Sequence, residues 1–166
     1  PLDARDFERL DTGIAVRAPR APFSLQIVNR IHPAANTELM GLYVSNGSFF
    51  TQCEAEGFRR ITYFPDRPDM MTRYRVTLRA DKSRYPVLLS NGNLVEERLL
   101  DDGRHEAVWD DPHAKPSYLF ALVAGRFVAK EDHWPRVGGS DALLQVWVEA
   151  GNLDKTEHAM SSLKRA

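Results

Sequence analysis

Cysteine is nearly absent. Cys53 stands alone among 166 residues, so no disulfide can form within the chain and a reducing, cytoplasmic setting is the simpler expectation. Long apolar runs are missing as well: the longest clean one spans 118–125, far short of the roughly 20 residues a membrane-spanning helix needs. Neither sign of charge dominates, because 22 Lys and Arg oppose 23 Asp and Glu for a net charge of −1. With no dense Lys/Arg block either, the chain lacks the electrostatic footprint of a nucleic-acid binder. The start at Pro1 has no basic and then apolar leader pattern. The chain also contains no repeat and no low-complexity tract. What remains, 43% hydrophobic and 27% charged residues, is the composition of one ordinary globular domain with room for a sizeable core.

Period-two alternation dominates the middle of the chain. Tyr74, Val76, Leu78 and Ala80 share one face of an expected strand, and Arg73, Arg75, Thr77 and Arg79 share the other. Residues 23–27 and 144–149 alternate in the same way and read as strands. Asn46-Gly47 and Asn91-Gly92 each separate apolar-rich runs, the pattern of a tight two-residue hairpin. A third turn, Asp101-Asp102-Gly103, leads into a strand at 105–109, and the run 118–124 suits a strand buried on both faces. A short helix is expected over 53–60. Another is expected after Asn152, where Asp154 and Glu157 resemble a capping box. The expected class is therefore mainly β, with antiparallel or mixed sheets, a short helix near 53–60 and a C-terminal helix.

Few residues have the spacing that chemistry requires. His105-Glu106 is followed by Trp109 where a zinc helix of the His-Glu-x-x-His type needs its second histidine. This pair reads as exposed polar residues on a strand. His32, His113, His133 and His158 show no ligand spacing. Cys53 reads as a small buried hydrophobe, and Gly138-Gly139-Ser140 as a flexible turn. Glu54 and Glu56 diverge if they lie on a helix, one inward and one solvated, and an acid at a helix start is favoured by the dipole.

The stretch 41–60, Gly-Leu-Tyr-Val-Ser-Asn-Gly-Ser-Phe-Phe-Thr-Gln-Cys-Glu-Ala-Glu-Gly-Phe-Arg-Arg, continuing to 69, closely resembles the N-terminal domain of the bacterial aminopeptidase N family of zinc-dependent gluzincins. Further blocks at 85–93, 111–125 and 151–154 match in order, so the likeness runs from about 38 to 163. It implies a saddle-like β domain at 1–149, lacking its first strands, and the beginning of a thermolysin-like catalytic domain at 150–166. Met160 and Leu163, on that next domain's first helix, are then expected to lack an apolar partner in this chain. The family's zinc helix, third ligand and Gly-x-Met-Glu-Asn motif do not occur here. Zinc is thus expected in a full-length parent and not in this piece, which has no catalytic residue of its own. One functional element transfers. The family's Thr-Gln-x-Glu segment stands here as Gln52 and Glu54, with Cys53 between them. The resemblance gives Glu54 the α-amino group of a peptide substrate and gives Gln52 the wall of the first side-chain pocket. Glu56 remains a solvated or structural acid.

The expected partners are peptides with free N-termini and the catalytic domain of the same parent chain, with neither nucleic acid nor membrane. The alternatives are a freestanding β module that holds peptide N-termini and a purely structural interaction domain.

Overall fold

The computed structural model describes residues 6–17 and 22–166. It is mainly β, and every strand ladder among these residues is antiparallel. β1 (Phe7–Leu10) and β2 (Gly13–Val16) form a hairpin. β3 (Gly41–Ser45) and β4 (Ser48–Gln52) form a second one, closed by Asn46 and Gly47 at φ of 47° and 76°. Positive φ at both central residues matches the right-handed twist of the flanking strands.

That hairpin belongs to a four-stranded sheet ordered β3-β4-β9-β6, with β6 at Val87–Ser90 and β9 at Leu122–Gly125. A three-stranded sheet, β5-β8-β7, is made from Thr72–Asp81, Arg104–Lys115 and Asn93–Leu99. The alternation in β5 settles as expected, with Tyr74 buried and Arg73, Arg75 and Arg79 exposed. Between these two sheets Leu88, Ala107 and Ala124 are buried, with Phe49, Leu78, Tyr85 and Trp109 packed against them. The Trp109 indole N–H donates to the carbonyl of Leu88 at 3.1 Å, tying β8 to β6.

Several local expectations yield to tertiary structure. Asn91-Gly92 does not close a hairpin: β6 pairs with β9 and β7 pairs with β8, so the chain changes sheet there. Asn91 spends its amide on the segment before β9, donating to Leu119 O and accepting from Ala121 N. Gly92, at φ 86°, passes so close to β8 that a Cβ would lie 2.3 Å from the carbonyl oxygen of Asp110. Residues 23–27 alternate but pair with no strand among the described residues, and Phe23 and Leu25 are exposed. The run 118–124 divides into a 3-10 turn, Ser117–Leu119, and β9.

His105 and Glu106 are the largest departure. They were expected at the surface, yet they are 0% and 3% exposed. β8 is the central strand, and its register sets Glu106 between Arg79 of β5 and Arg98 of β7. Both guanidinium groups hydrogen-bond the carboxylate and hold its pKa below the ordinary range. On the opposite face His105 Nε2 donates to Tyr85 O at 2.8 Å, which leaves Nδ1 to accept from Lys82 Nζ at 3.3 Å.

β10 (Val128–Pro135) and β11 (Asp141–Val148) make a separate ribbon, joined by the turn that contains Gly138, Gly139 and Ser140. A 3-10 segment, Ala150–Lys155, then leads to α1, Glu157–Leu163. The cap residue of α1 is Thr156, whose hydroxyl turns back to Leu153 O, and no Asp154 box forms. α1 lies against β11. Met160 is only 3% exposed, against the expectation that it would lack a partner, while Leu163 is 43% exposed. Lys130 pairs with Glu157 at 2.5 Å, and Lys164 pairs with Asp132. No helix among the described residues is long and apolar enough to cross a membrane.

Candidate functional site

β4 lies between β3 and β9 and ends at Gln52. The strand's alternation persists two residues further: Gln52 and Glu54 point to solvent while Cys53 is buried at 2% exposure. Cys53 enters an aromatic cluster with Phe58 and Tyr74, backed by Ile61, Phe64 and Phe120. The Phe58 ring lies 5.0 Å from Phe64 and 5.0 Å from Phe120, both edge-on, a favoured geometry for aromatic pairs. This anchor holds the tip of β4 in place.

Burial first, and the negative charge of Asp66 second, push the Cys53 thiol up to about 11. A thiol needs its thiolate form to attack, so this cysteine is a packing residue. We expect iodoacetamide at pH 8 to leave Cys53 unmodified in the native chain and to alkylate it fully in urea. Native alkylation at the denatured rate would contradict the packing role. Above the ordinary value of 9.0 the unfolded chain loses this proton while the folded chain keeps it to about 11, so stability falls as pH rises through that interval.

The helix expected over 53–60 contracts to a single 3-10 turn, Phe58–Arg60, preceded by turn residues 54–57. The Glu54–Ala55 peptide bond is cis. The Gly57 amide donates to Cys53 O at 2.8 Å, and the two strands of this loop touch. A Cβ on Gly57 would lie 2.2 Å from Gln52 O and 2.9 Å from Cys53 Cα. Gln52 adds a side-chain bond, its Nε2 donating to Glu54 O at 3.1 Å.

Glu54 and Glu56, indistinguishable as acids in sequence, have different surroundings. Glu56 pairs with Arg59 at 3.3 Å, and Glu38 nearby in space pairs with Arg60 at 2.5 Å. Glu54 has no cation within ion-pair distance among the described residues. Its carboxylate is exposed, on a braced backbone, and open to an incoming cation.

The structure brings Gln52 and Glu54 together as one unit and also uncovers residues that sequence reasoning did not single out. Asp66 is 6% exposed and Ser117 is 1% exposed. Asp66 Oδ2 accepts from the Arg59 amide at 2.9 Å and from Arg59 Nε at 3.2 Å, and Oδ1 accepts from the Ser117 hydroxyl. Pro65 and Pro68 bracket a turn around Asp66, the one sequence signal there. The Ser117 contact is too distant along the chain for spacing to reveal. Among the described residues no group of three or more His, Cys, Asp and Glu could hold a metal ion.

A known family matches this chain: the Peptidase M1 N-terminal domain covers residues 12–119. The chain belongs to that family. Within it, aminopeptidase N of Escherichia coli is 52% identical over 144 residues, 87% of this chain and 17% of the relative. Aminopeptidase N of Caulobacter vibrioides is 52% identical over 161 residues, 97% of this chain and 18% of that protein. The chain therefore spans less than a fifth of the length of these relatives. The crystal structure of Legionella pneumophila aminopeptidase A in complex with aspartic acid superposes with a TM-score of 0.86 at 35% identity, covering 98% of this chain and 19% of that one. An M1 zinc metallopeptidase from Deinococcus radiodurans shares the fold at a TM-score of 0.60 and 16% identity, over 68% of this chain and 25% of that one.

Proposed function

We propose that this chain is the N-terminal domain of a zinc-dependent aminopeptidase that releases N-terminal amino acids from peptides. Residues 1–149 form the β domain and 150–166 lead into the catalytic domain of the same parent. In this reading Glu54 receives the substrate's α-ammonium and Gln52 lines the pocket of its first side chain. The described residues do not fit a zinc centre, so the metal and the hydrolytic groups belong to the remainder of the parent. The single buried thiol and the family likeness favour a cytoplasmic location.

The reading is carried by one observation: Glu54 presents an unpaired carboxylate on a braced strand tip while Glu56 and Glu38 are each matched by an arginine. Water weakens an exposed charge pair. An ammonium enclosed between Glu54 and the rest of a pocket gains much more from the same carboxylate. Anchoring the chain end also limits cleavage to the first peptide bond.

The test compares a peptide carrying a free amine with its N-acetyl counterpart on the full-length parent. Acetylation removes the cation and is expected to lower kcat/KM by roughly tenfold or more, the equivalent of about 1.4 kcal/mol per decade. Equal turnover of the two would refute the amine anchor. Zinc analysis of the isolated 1–166 chain is expected to show no stoichiometric metal; a tightly held zinc would relocate the metal centre into this domain.

A further inference from the structure

We infer that Asp66 is a positioning residue for the substrate amine, setting the direction of Glu54 through Arg59 and Gly57. This rests on Glu54 being the amine anchor.

Asp66 is a buried carboxylate satisfied entirely from within. Its Oδ2 takes the backbone amide and Nε of Arg59, its own carbonyl takes Arg59 Nη2 at 2.8 Å, and its Oδ1 takes the Ser117 hydroxyl. These bonds fasten two separate turns. The first, Phe58–Arg60, begins beside Gly57, whose α-carbon abuts the Gln52 carbonyl and the Cys53 backbone. The second, Ser117–Leu119, leads to Phe120, which packs on Phe58 and so on the cluster that contains Cys53. Both arms reach Cys53, the residue that precedes Glu54 in the chain.

Glu54 needs that support. Having no ion pair of its own, it is oriented by its backbone and by Gln52, whose amide is bonded to Glu54 O. Arg59 extends the brace to the other end of the loop, because its Nη2 also meets Glu56 Oε1 at 3.3 Å. The Arg59 guanidinium thus contacts both Asp66 and Glu56 and adds a weak, solvent-exposed tie to the Glu56 end of the loop. A buried charge is expensive to keep, and asparagine would fill the same space. Both Arg59 bonds fall on Oδ2, and an amide oxygen could also accept them; what the carboxylate adds is its charge, which strengthens the hold on the Arg59 guanidinium and amide and keeps Oδ1 an acceptor for Ser117.

The experiment is a double-mutant cycle in the full-length parent, using Asp66→Asn, Glu54→Gln and both together. KM, kcat and melting temperature are measured for each on a substrate with a free amine. We expect Asp66→Asn alone to raise KM about three- to tenfold with a smaller change in kcat. In the Glu54→Gln background it should add less than about twofold, because a residue that acts through another loses its effect when that other is gone. A purely structural role gives the same factor in both backgrounds, and that result, or an unchanged KM in the single variant, would overturn the inference. Wild-type kinetics for Glu54→Gln would instead sink the anchor reading, a distinguishable failure. Should Asp66→Asn not fold, Ser117→Ala removes a single donor to Oδ1 and enters the same cycle with the same criteria.

Discussion

Replacing Glu54 by glutamine in the full-length enzyme should raise KM and lower kcat/KM by roughly tenfold or more. Glutamine preserves the length and one acceptor oxygen but removes the charge that, in the proposed reading, faces the substrate's ammonium. Truncating one partner of a buried, hydrogen-bonded charge pair costs about 2–5 kcal/mol, and tenfold, near 1.4 kcal/mol, is the low end to expect. Glu54 is exposed in this chain, so the larger values require that the bound substrate and the rest of the pocket exclude water from the pair. Zinc content should stay at the wild-type level, since Glu54 is not a ligand in this scheme. The same exchange at Glu56, whose solvent-exposed pair with Arg59 at 3.3 Å adds only a weak brace to the loop, should lower kcat/KM far less than the Glu54 exchange does. Steady-state kinetics on an amino-acid anilide decides the matter: a Glu54→Gln enzyme as efficient as wild type disproves the role.

Gly57→Ala is the second substitution with a large expected effect, and it acts on position without touching charge. The φ of Gly57 is −80°, which any residue adopts, so the backbone imposes no penalty. The obstacle is space. A methyl group would lie 2.2 Å from Gln52 O, 2.9 Å from Cys53 Cα and 3.0 Å from Gly41 N, all backbone atoms that cannot rotate away. Overpacking of this kind costs about 1–3 kcal/mol, corresponding to a fall in melting temperature of about 2–12 °C for a chain of this size. Because the clash is with Gln52 and Cys53 themselves, the same substitution should also raise KM in the full-length enzyme. Gly151, with no atom within 4 Å of a built Cβ, provides the comparison, and alanine there should shift stability by no more than about 0.5 kcal/mol. Thermal unfolding of the three proteins, with KM measured alongside, tests both claims. A Gly57→Ala variant that melts and binds like wild type would show that the loop gives way.

Much of this architecture was legible in the chain itself. The alternation from Tyr74 to Ala80 dictates which face of β5 is buried, because side chains in a strand point alternately to opposite sides. Asn46-Gly47 favours a tight hairpin turn because few residues accept positive φ at two successive positions. Gln52 and Glu54 stood out through a family resemblance, and no spacing rule distinguished Glu54 from Glu56. Only the tertiary structure shows that Glu56 pairs with Arg59 while Glu54 has no ion-pair partner among the described residues.

Other features were decided only when distant segments met. Asn91-Gly92 carries the same local signal as Asn46-Gly47, but β9 and β8 claimed the strands on either side of it, and a hairpin turned into a crossing between sheets. Residues 23–27 have a strand's period without a neighbouring strand among the described residues to complete the ladder. Glu106 reads as a surface acid until β5 and β7 bring Arg79 and Arg98 over it. Asp66 and Ser117 share a buried hydrogen bond although they lie 51 positions apart in the chain. Local sequence determines which way a side chain faces, since that depends on the backbone period and on φ. It does not determine what lies opposite, because burial and charge pairing depend on which remote segment packs there.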